Sequence, residues 1–123
     1  MALVLIIEDN PHTLATLREI LVSEDHAVLE ARNGKEGLAL FQSRLPALVI
    51  TDIIMPEKEG IETILELRRM APACKIIAMS GGGFVGKTDF LALAKKAGAD
   101  AVLEKPFGAT QLLDAVAHLA PAA

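Results

Sequence analysis

Residues 47–52 read Ala-Leu-Val-Ile-Thr-Asp, an apolar run that ends on a carboxylate. Nothing in it alternates apolar with polar, so it does not describe a strand with one wet face. A short run buried on both faces is the mark of a parallel sheet. Working outward, Ala2–Ile7 ends at Glu8-Asp9, Lys75–Met79 ends at Ser80, and Ala101–Leu103 leads into Glu104-Lys105. Ala27–Leu29 makes a weaker fifth run. Helical periodicity fills the gaps. Asn10 is a good N-cap and Pro11 suits a first helical turn, ahead of Leu14, Leu17, Ile20 and Leu21. Lys35–Ser43 carries Leu38 and Phe41, and Ile61–Met70 carries Ile61, Ile64, Leu65 and Met70. Thr88–Ala97 carries Leu91, Leu93 and Ala94, and Thr110–Leu119 carries Leu112, Leu113, Val116 and Leu119. Five βα units joined by right-handed crossovers give an α/β fold: a doubly wound, five-stranded parallel sheet flanked by five helices. One domain is expected over residues 1–120, with 121–123 a short frayed tail.

Composition narrows the function. The chain has 123 residues, with 12 Lys plus Arg against 16 Asp plus Glu, a formal net charge of −4. With 52% apolar residues it can fill one core. An acidic total without a Lys/Arg block, and without Trp or Tyr for base stacking, argues against nucleic-acid binding. The opening apolar run is too short to cross a bilayer, so no membrane role is expected, and no export signal precedes it. Cys74 stands alone, which removes a disulfide framework and a cysteine metal site; a reducing, cytoplasmic setting is expected.

Ligands of open α/β sheets bind beyond the carboxyl ends of the strands. Those ends deliver Glu8 and Asp9 from the first strand, Asp52 from the third, Ser80 from the fourth and Lys105 from the fifth. Each alone has an ordinary reading: a solvated turn, a cap, an exposed lysine. Together they place three carboxylates on one rim, where a pair 4 Å apart repels by about 4 kcal/mol at an effective dielectric of ~20. A hard divalent cation relieves that repulsion, and oxygen ligands on an open rim suit Mg²⁺. His12, His26 and His118 are scattered and form no metal motif; Cys74 and Met55 read as packing residues.

With Ile-Glu-Asp at 7–9, Asp-Ile-Ile-Met-Pro at 52–56, Met-Ser at 79–80, Ala-Gly-Ala-Asp at 97–100 and Lys-Pro-Phe at 105–107, the sequence resembles the receiver domain of two-component response regulators from Leu3 to about Leu119. The resemblance implies the flavodoxin-like strand order 2-1-3-4-5. It implies that Asp52 accepts a phosphoryl group from a histidine kinase or phosphotransfer protein. It also implies Mg²⁺ held by Glu8, Asp9, Asp52 and the carbonyl of Ile54, Ser80 and Lys105 as partners of the phosphoryl group, and a cis Lys105–Pro106 bond. It further implies a signalling switch and not an enzyme, acting on a downstream protein through the fourth helix, fifth strand and fifth helix. Because little follows the fifth helix, a stand-alone receiver is expected.

Two features depart from the family's pattern. Val102 stands where a Tyr or Phe ring usually couples to the hydroxyl residue, so the switch is expected to run through Ser80 and residues 81–88 instead. Gly81 to Thr88 also satisfies G-x-x-x-x-G-K-[ST], so a small P-loop nucleotide-binding protein is the alternative reading. Against it, only 35 residues follow Thr88, and Glu8, Asp9 and Lys105 would have no role. A phosphohydrolase of the haloacid dehalogenase type would need a second Asp two residues after the nucleophile, where this chain has Ile54.

Overall fold

A computed structural model describes residues 2–53, 60–80, 84–85 and 88–119. Its elements are β1 (Leu3–Ile7), α1 (Pro11–Ser23), β2 (Ala27–Ala31), α2 (Gly34–Arg44), β3 (Leu48–Asp52), α3 (Gly60–Met70) and β4 (Lys75–Ser80). There follow β5 (Phe84–Val85), β6 (Thr88–Asp89), α4 (Phe90–Ala97), β7 (Ala101–Glu104) and α5 (Ala109–Leu119). The main sheet is parallel throughout, in the order β2-β1-β3-β4-β7, so β7 is its fifth strand and the expected order 2-1-3-4-5 is found.

The continuous apolar runs sit where both faces are covered. Alternate residues of β1, β3 and β4 enter two cores. Leu5, Ile7, Val49, Ile76 and Ala78 pack with Phe41, Ile64, Leu67 and Ala94 of α2, α3 and α4. Val4, Ile6, Leu48, Ile50, Ile77 and Met79 pack with Leu14, Leu17, Leu21, Leu112 and Val116 of α1 and α5. The edge strands β2 and β7 are only half-buried, which explains their shorter apolar runs. Local chemistry sets the helix starts. The Asn10 side chain accepts the His12 and Thr13 N–H groups at 2.9 and 3.0 Å. Asn33 accepts the Glu36 N–H at 2.9 Å, and Glu36 reaches back to the Arg32 N–H at 3.2 Å.

Two helices differ from the sequence expectation. On α3 the buried stripe is Gly60, Thr63, Ile64 and Leu67, while Leu65 and Met70 are exposed. The stripe has ordinary helical spacing, but two of its members are not apolar, which hides it from a hydrophobicity count. Helix α4 begins at Phe90, not Thr88, and its Leu93 is exposed while Ala94 is buried. Thr88 and Asp89 are extended instead, pairing antiparallel with Val85 and Phe84. The intervening Gly86-Lys87 has the length and leading glycine that two-residue hairpins favour. Residues 81–83, 86–87 and the 120–123 tail lie outside the described residues.

At the amino end of the sheet a single side chain joins three segments: α3, the approach to β4 and the turn from α4 to β7. Arg68 donates from Nε and Nη2 to the Gly98 carbonyl, from Nη1 to the carbonyls of Pro72 (2.8 Å) and Cys74 (2.6 Å), and from Nη2 to Asp100 Oδ2 (2.8 Å). All five guanidinium N–H groups are thereby used. Asp100 Oδ2 also accepts the Ile76 N–H at 2.8 Å. Gly98 has φ +124°, and a Cβ there would stand 3.0 Å from Arg68 Nε, so both conformation and space require glycine. Cys74 sits beside this clamp as a packing residue, its buried thiol pushed up to about 11.

Arg68→Ala removes the donors to the part-buried carbonyls of Gly98 and Cys74, and it should lower the unfolding free energy by about 1–3 kcal/mol in urea denaturation. Asp100→Asn should cost less, because the carbonyl bonds of Arg68 survive. A loss below about 0.5 kcal/mol for Arg68→Ala would rank the clamp with ordinary surface ion pairs.

Candidate functional site

β2 lies on one side of β1 and β3 on the other, so the direction in which strands are added reverses at β1. The crevice at this reversal opens at the carboxyl ends of β1 and β3, where such sheets bind ligands. Glu8 and Asp9 follow β1 directly, and Asp52 is the last residue of β3. Ser80 ends β4 in register with Glu104 and is almost fully buried. The Lys105 N–H donates to the Ser80 carbonyl at 2.6 Å, extending the β4–β7 ladder one residue to the rim. The Lys105–Pro106 peptide is cis, as the resemblance implies.

The structure brings Glu8, Asp9, Asp52 and Lys105 together. Lys105 Nζ lies 2.8 Å from Glu8 Oε1 and 3.2 Å from Asp52 Oδ2. Glu8 is 1% exposed, and its second oxygen accepts the Asn10 N–H at 3.3 Å. Asp52 Oδ1 accepts the Ile53 N–H at 2.8 Å. Burial alone would lower the basicity of Lys105, but the hydrogen bond to Glu8 and the charge of Asp52 outweigh it and raise it above the ordinary lysine value. The group is therefore an ammonium. Partial loss of water, then the neighbouring Glu8, hold the Asp9 carboxyl above the usual carboxylate range.

Among the described residues, Glu8, Asp9 and Asp52 form the acidic cluster suited to a cation, each with an oxygen within 4.8 Å of the others. With all four groups ionised, three carboxylates and one ammonium sum to −2, the charge a divalent cation neutralises. All the donors are hard oxygens and Asp9 is exposed, so the donor set fits Mg²⁺ with room for water. Ile54 and Met55 lie outside the described residues. Val102 pairs with Ala78 and is half-buried against the core on the α2–α3–α4 side. The three histidines stay apart from the cluster; His26 Nδ1 accepts the Ala2 N–H at 3.1 Å.

The P-loop alternative needs its Lys-Thr pair to open a helix under the phosphates. Thr88 instead lies in the extended β6, and α4 starts two residues later. The context that would turn the motif into a phosphate cradle is therefore not met at Thr88.

Fold and site together define a doubly wound domain with a lysine-bridged acidic cluster at its switch point. A family model described as the response regulator receiver domain matches residues 4–117. The chain is 34% identical over 116 residues to the chemotaxis protein CheY of Halobacterium salinarum, covering 94% of each. It is 33% identical over 114 residues to CheY of Thermotoga maritima, covering 92% of each. Among solved structures, a response regulator receiver domain protein from Clostridium thermocellum superposes with a TM-score of 0.88 at 30% identity, covering 97% of this chain and 94% of that one. A CheY-like receiver from Methanospirillum hungatei gives 0.87 at 28% identity, covering 96% and 92%. The chain belongs to the response regulator receiver family. Receivers are signalling switches of two-component systems that bind Mg²⁺ at an acidic pocket, and in general they work with a histidine kinase or phosphotransfer partner and downstream targets. No helix among the described residues is long and apolar enough to cross a membrane.

Sequence reasoning missed two contributors to this site. The Asn10 N–H on Glu8 is a backbone contact and leaves no residue signature. Gly60, which packs on Asp52, is signalled only by a glycine at a helix start.

The raised Asp9 carboxyl carries a sign. The folded state holds this proton more tightly than the unfolded chain does, so stability falls as pH rises from the ordinary carboxylate value through the raised one. Asp9→Asn should therefore raise the melting temperature of the metal-free protein at neutral pH and have no such effect below about pH 3, where both states are protonated. Scanning calorimetry in EDTA at the two pH values checks this; stabilisation that is larger in acid would contradict it.

Proposed function

We propose that residues 1–120 are a phosphoaspartate switch in which Asp52 accepts the phosphoryl group of a phosphohistidine on a histidine kinase or phosphotransfer protein. The observation that carries this reading is the placement of one carboxylate, Asp52, against both a lysine ammonium and an acidic cluster. An Asp52 oxygen attacks phosphorus, the P–N bond breaks, and its electron pair goes to the imidazole nitrogen, which takes up a proton. Glu8, Asp9, Asp52 and the Ile54 carbonyl would hold Mg²⁺, which supplies positive charge to the transferring oxygens. Lys105, held as an ammonium against Asp52, supplies a second positive group. Ser80, ending β4 next to Lys105 across the ladder, would donate a hydrogen bond to the phosphoryl group.

The protein would then catalyse only its own phosphorylation and dephosphorylation, in the cytoplasm, and signal through contacts of α4, β7 and α5 with a target protein. Phosphorylation adds charge and strong acceptors at the rim. Val102 presents nearly the same small surface in any state, and a group without differential contacts shifts no population. The response is therefore assigned to Ser80 and the segment that follows it.

Incubation with acetyl phosphate and Mg²⁺ should add one phosphoryl mass to the wild type and none to Asp52→Asn, and EDTA should abolish the gain. Label persisting in Asp52→Asn would place the acceptor elsewhere. Calorimetry with MgATP should show no micromolar binding; such binding, lost in Lys87→Ala, would restore the nucleotide reading.

A further inference from the structure

Gly60 opens α3 and lies against the peptide group that follows Asp52. Its N–H donates to the Ile53 carbonyl at 2.6 Å. A Cβ built on Gly60 would collide with the Asp52 carbonyl oxygen, and it would stand 2.5 Å from Ile53 Cα and 2.8 Å from the Asp52 carbonyl carbon. All three obstacles are backbone atoms. That backbone has little freedom to yield: Asp52 is in register with Met79, and the Ile53 N–H donates to the Met79 carbonyl at 2.9 Å. The same Ile53 N–H holds Asp52 Oδ1 at 2.8 Å. Gly60 thus packs on the Asp52–Ile53 peptide and holds the next carbonyl, that of Ile53, through its N–H, while the N–H of the packed peptide steers the Asp52 carboxylate.

We propose that Gly60 is a positioning residue for Asp52. Having no side chain, it lets α3 clasp the Asp52–Ile53 peptide, and the clasp fixes where the carboxylate points relative to Lys105, Glu8 and Asp9. This inference rests on the reading of Asp52 as the acceptor. A β-carbon must displace either α3 or the peptide, and a tilted peptide turns Oδ1 away with the Ile53 N–H. Residues that orient a metal ligand from outside typically change metal affinity about 10- to 100-fold when altered. Misplacement of a reacting group by about 1 Å can cost on the order of 10²-fold in rate.

Gly37 provides the matched control. A Cβ there would also be crowded, 2.7 Å from Ile7 Cγ1 and in collision with Ile7 Cδ1, but by a side chain that can shift. Gly60→Ala, shown to be folded by circular dichroism, should bind Mg²⁺ at least ~10-fold more weakly in calorimetry. It should take label from acetyl phosphate about 10²-fold more slowly. Gly37→Ala should match wild type in both measurements. A Gly60→Ala protein with wild-type Mg²⁺ affinity and labelling rate, changed only in stability, overturns the proposal. If Gly60→Ala does not fold, reciprocity supplies the test in wild type: a clasp that favours Mg²⁺ must itself be favoured by Mg²⁺. Exchange of the Gly60 amide should then slow on adding Mg²⁺, and exchange indifferent to Mg²⁺ overturns the proposal. Wild type that binds Mg²⁺ but takes no label on Asp52 would instead defeat the acceptor reading, leaving the Mg²⁺ linkage to decide the clasp.

Discussion

One ammonium group sits between carboxylates carried by two separate strands, and the rim of this protein is organised around it. Lys105 Nζ reaches Glu8 at 2.8 Å and Asp52 at 3.2 Å across 97 and 53 residues of chain. Glu8 is almost wholly buried, and removing one partner of a buried ion pair is strongly destabilising because it leaves the other charge uncompensated. Lysine reaches it because β7 lies beside β4 and β4 beside β3, so the sheet order brings residue 105 to the mouth of the β1–β3 crevice. The ion pair does not cancel the site. It leaves a surplus of two negative charges, and that surplus makes the pocket a place for a divalent cation rather than a closed structural salt bridge.

The opposite end of the sheet is built on a different principle. There Arg68 spends every donor on backbone carbonyls and on Asp100, itself tied to the Ile76 N–H. Those bonds join α3, the start of β4 and the turn from α4 to β7 into one unit with no surplus charge. A domain that switches needs such a division. One end must have its polar groups satisfied so that the strand register does not slip. The other must hold charges whose balance depends on what is bound.

The legibility of the sequence follows the same division. Strand ends in a parallel sheet are fixed by where a both-faces-buried run stops, so Glu8, Asp9, Asp52, Ser80 and Lys105 could be read as neighbours from their place in the chain alone. The stripe on α3 could not, because Gly60 and Thr63 are buried for reasons other than hydrophobicity: one admits a backbone contact and the other is a polar residue in an apolar face. Arg68 was equally opaque. Its partners are mostly carbonyls, which every residue possesses, so no pairing of residue types announces it. The Ala-Gly-Ala-Asp stretch at 97–100 is part of the family resemblance, and the structure supplies its physical content: Gly98 at positive φ under the guanidinium, and Asp100 receiving it.

Gly81 to Thr88 shows why a pattern of residue types is a weaker statement than a pattern in a known context. The motif specifies glycines for backbone access, a lysine for charge and a hydroxyl for a metal, but its chemistry needs a helix that begins at the Lys-Thr pair, so that the first N–H groups converge on phosphate. Val85 and Thr88 are β-branched and separated by two residues led by glycine, a combination that favours a short hairpin as much as a loop entering a helix. In this chain the hairpin pairing prevails: Val85 faces Thr88 and Phe84 faces Asp89, and the helix starts only at Phe90. The backbone of the threonine that the motif would place at a helix start is extended in a ladder. Glu8, Asp9 and Asp52, which the motif leaves out, gather the negative charge that a cation requires.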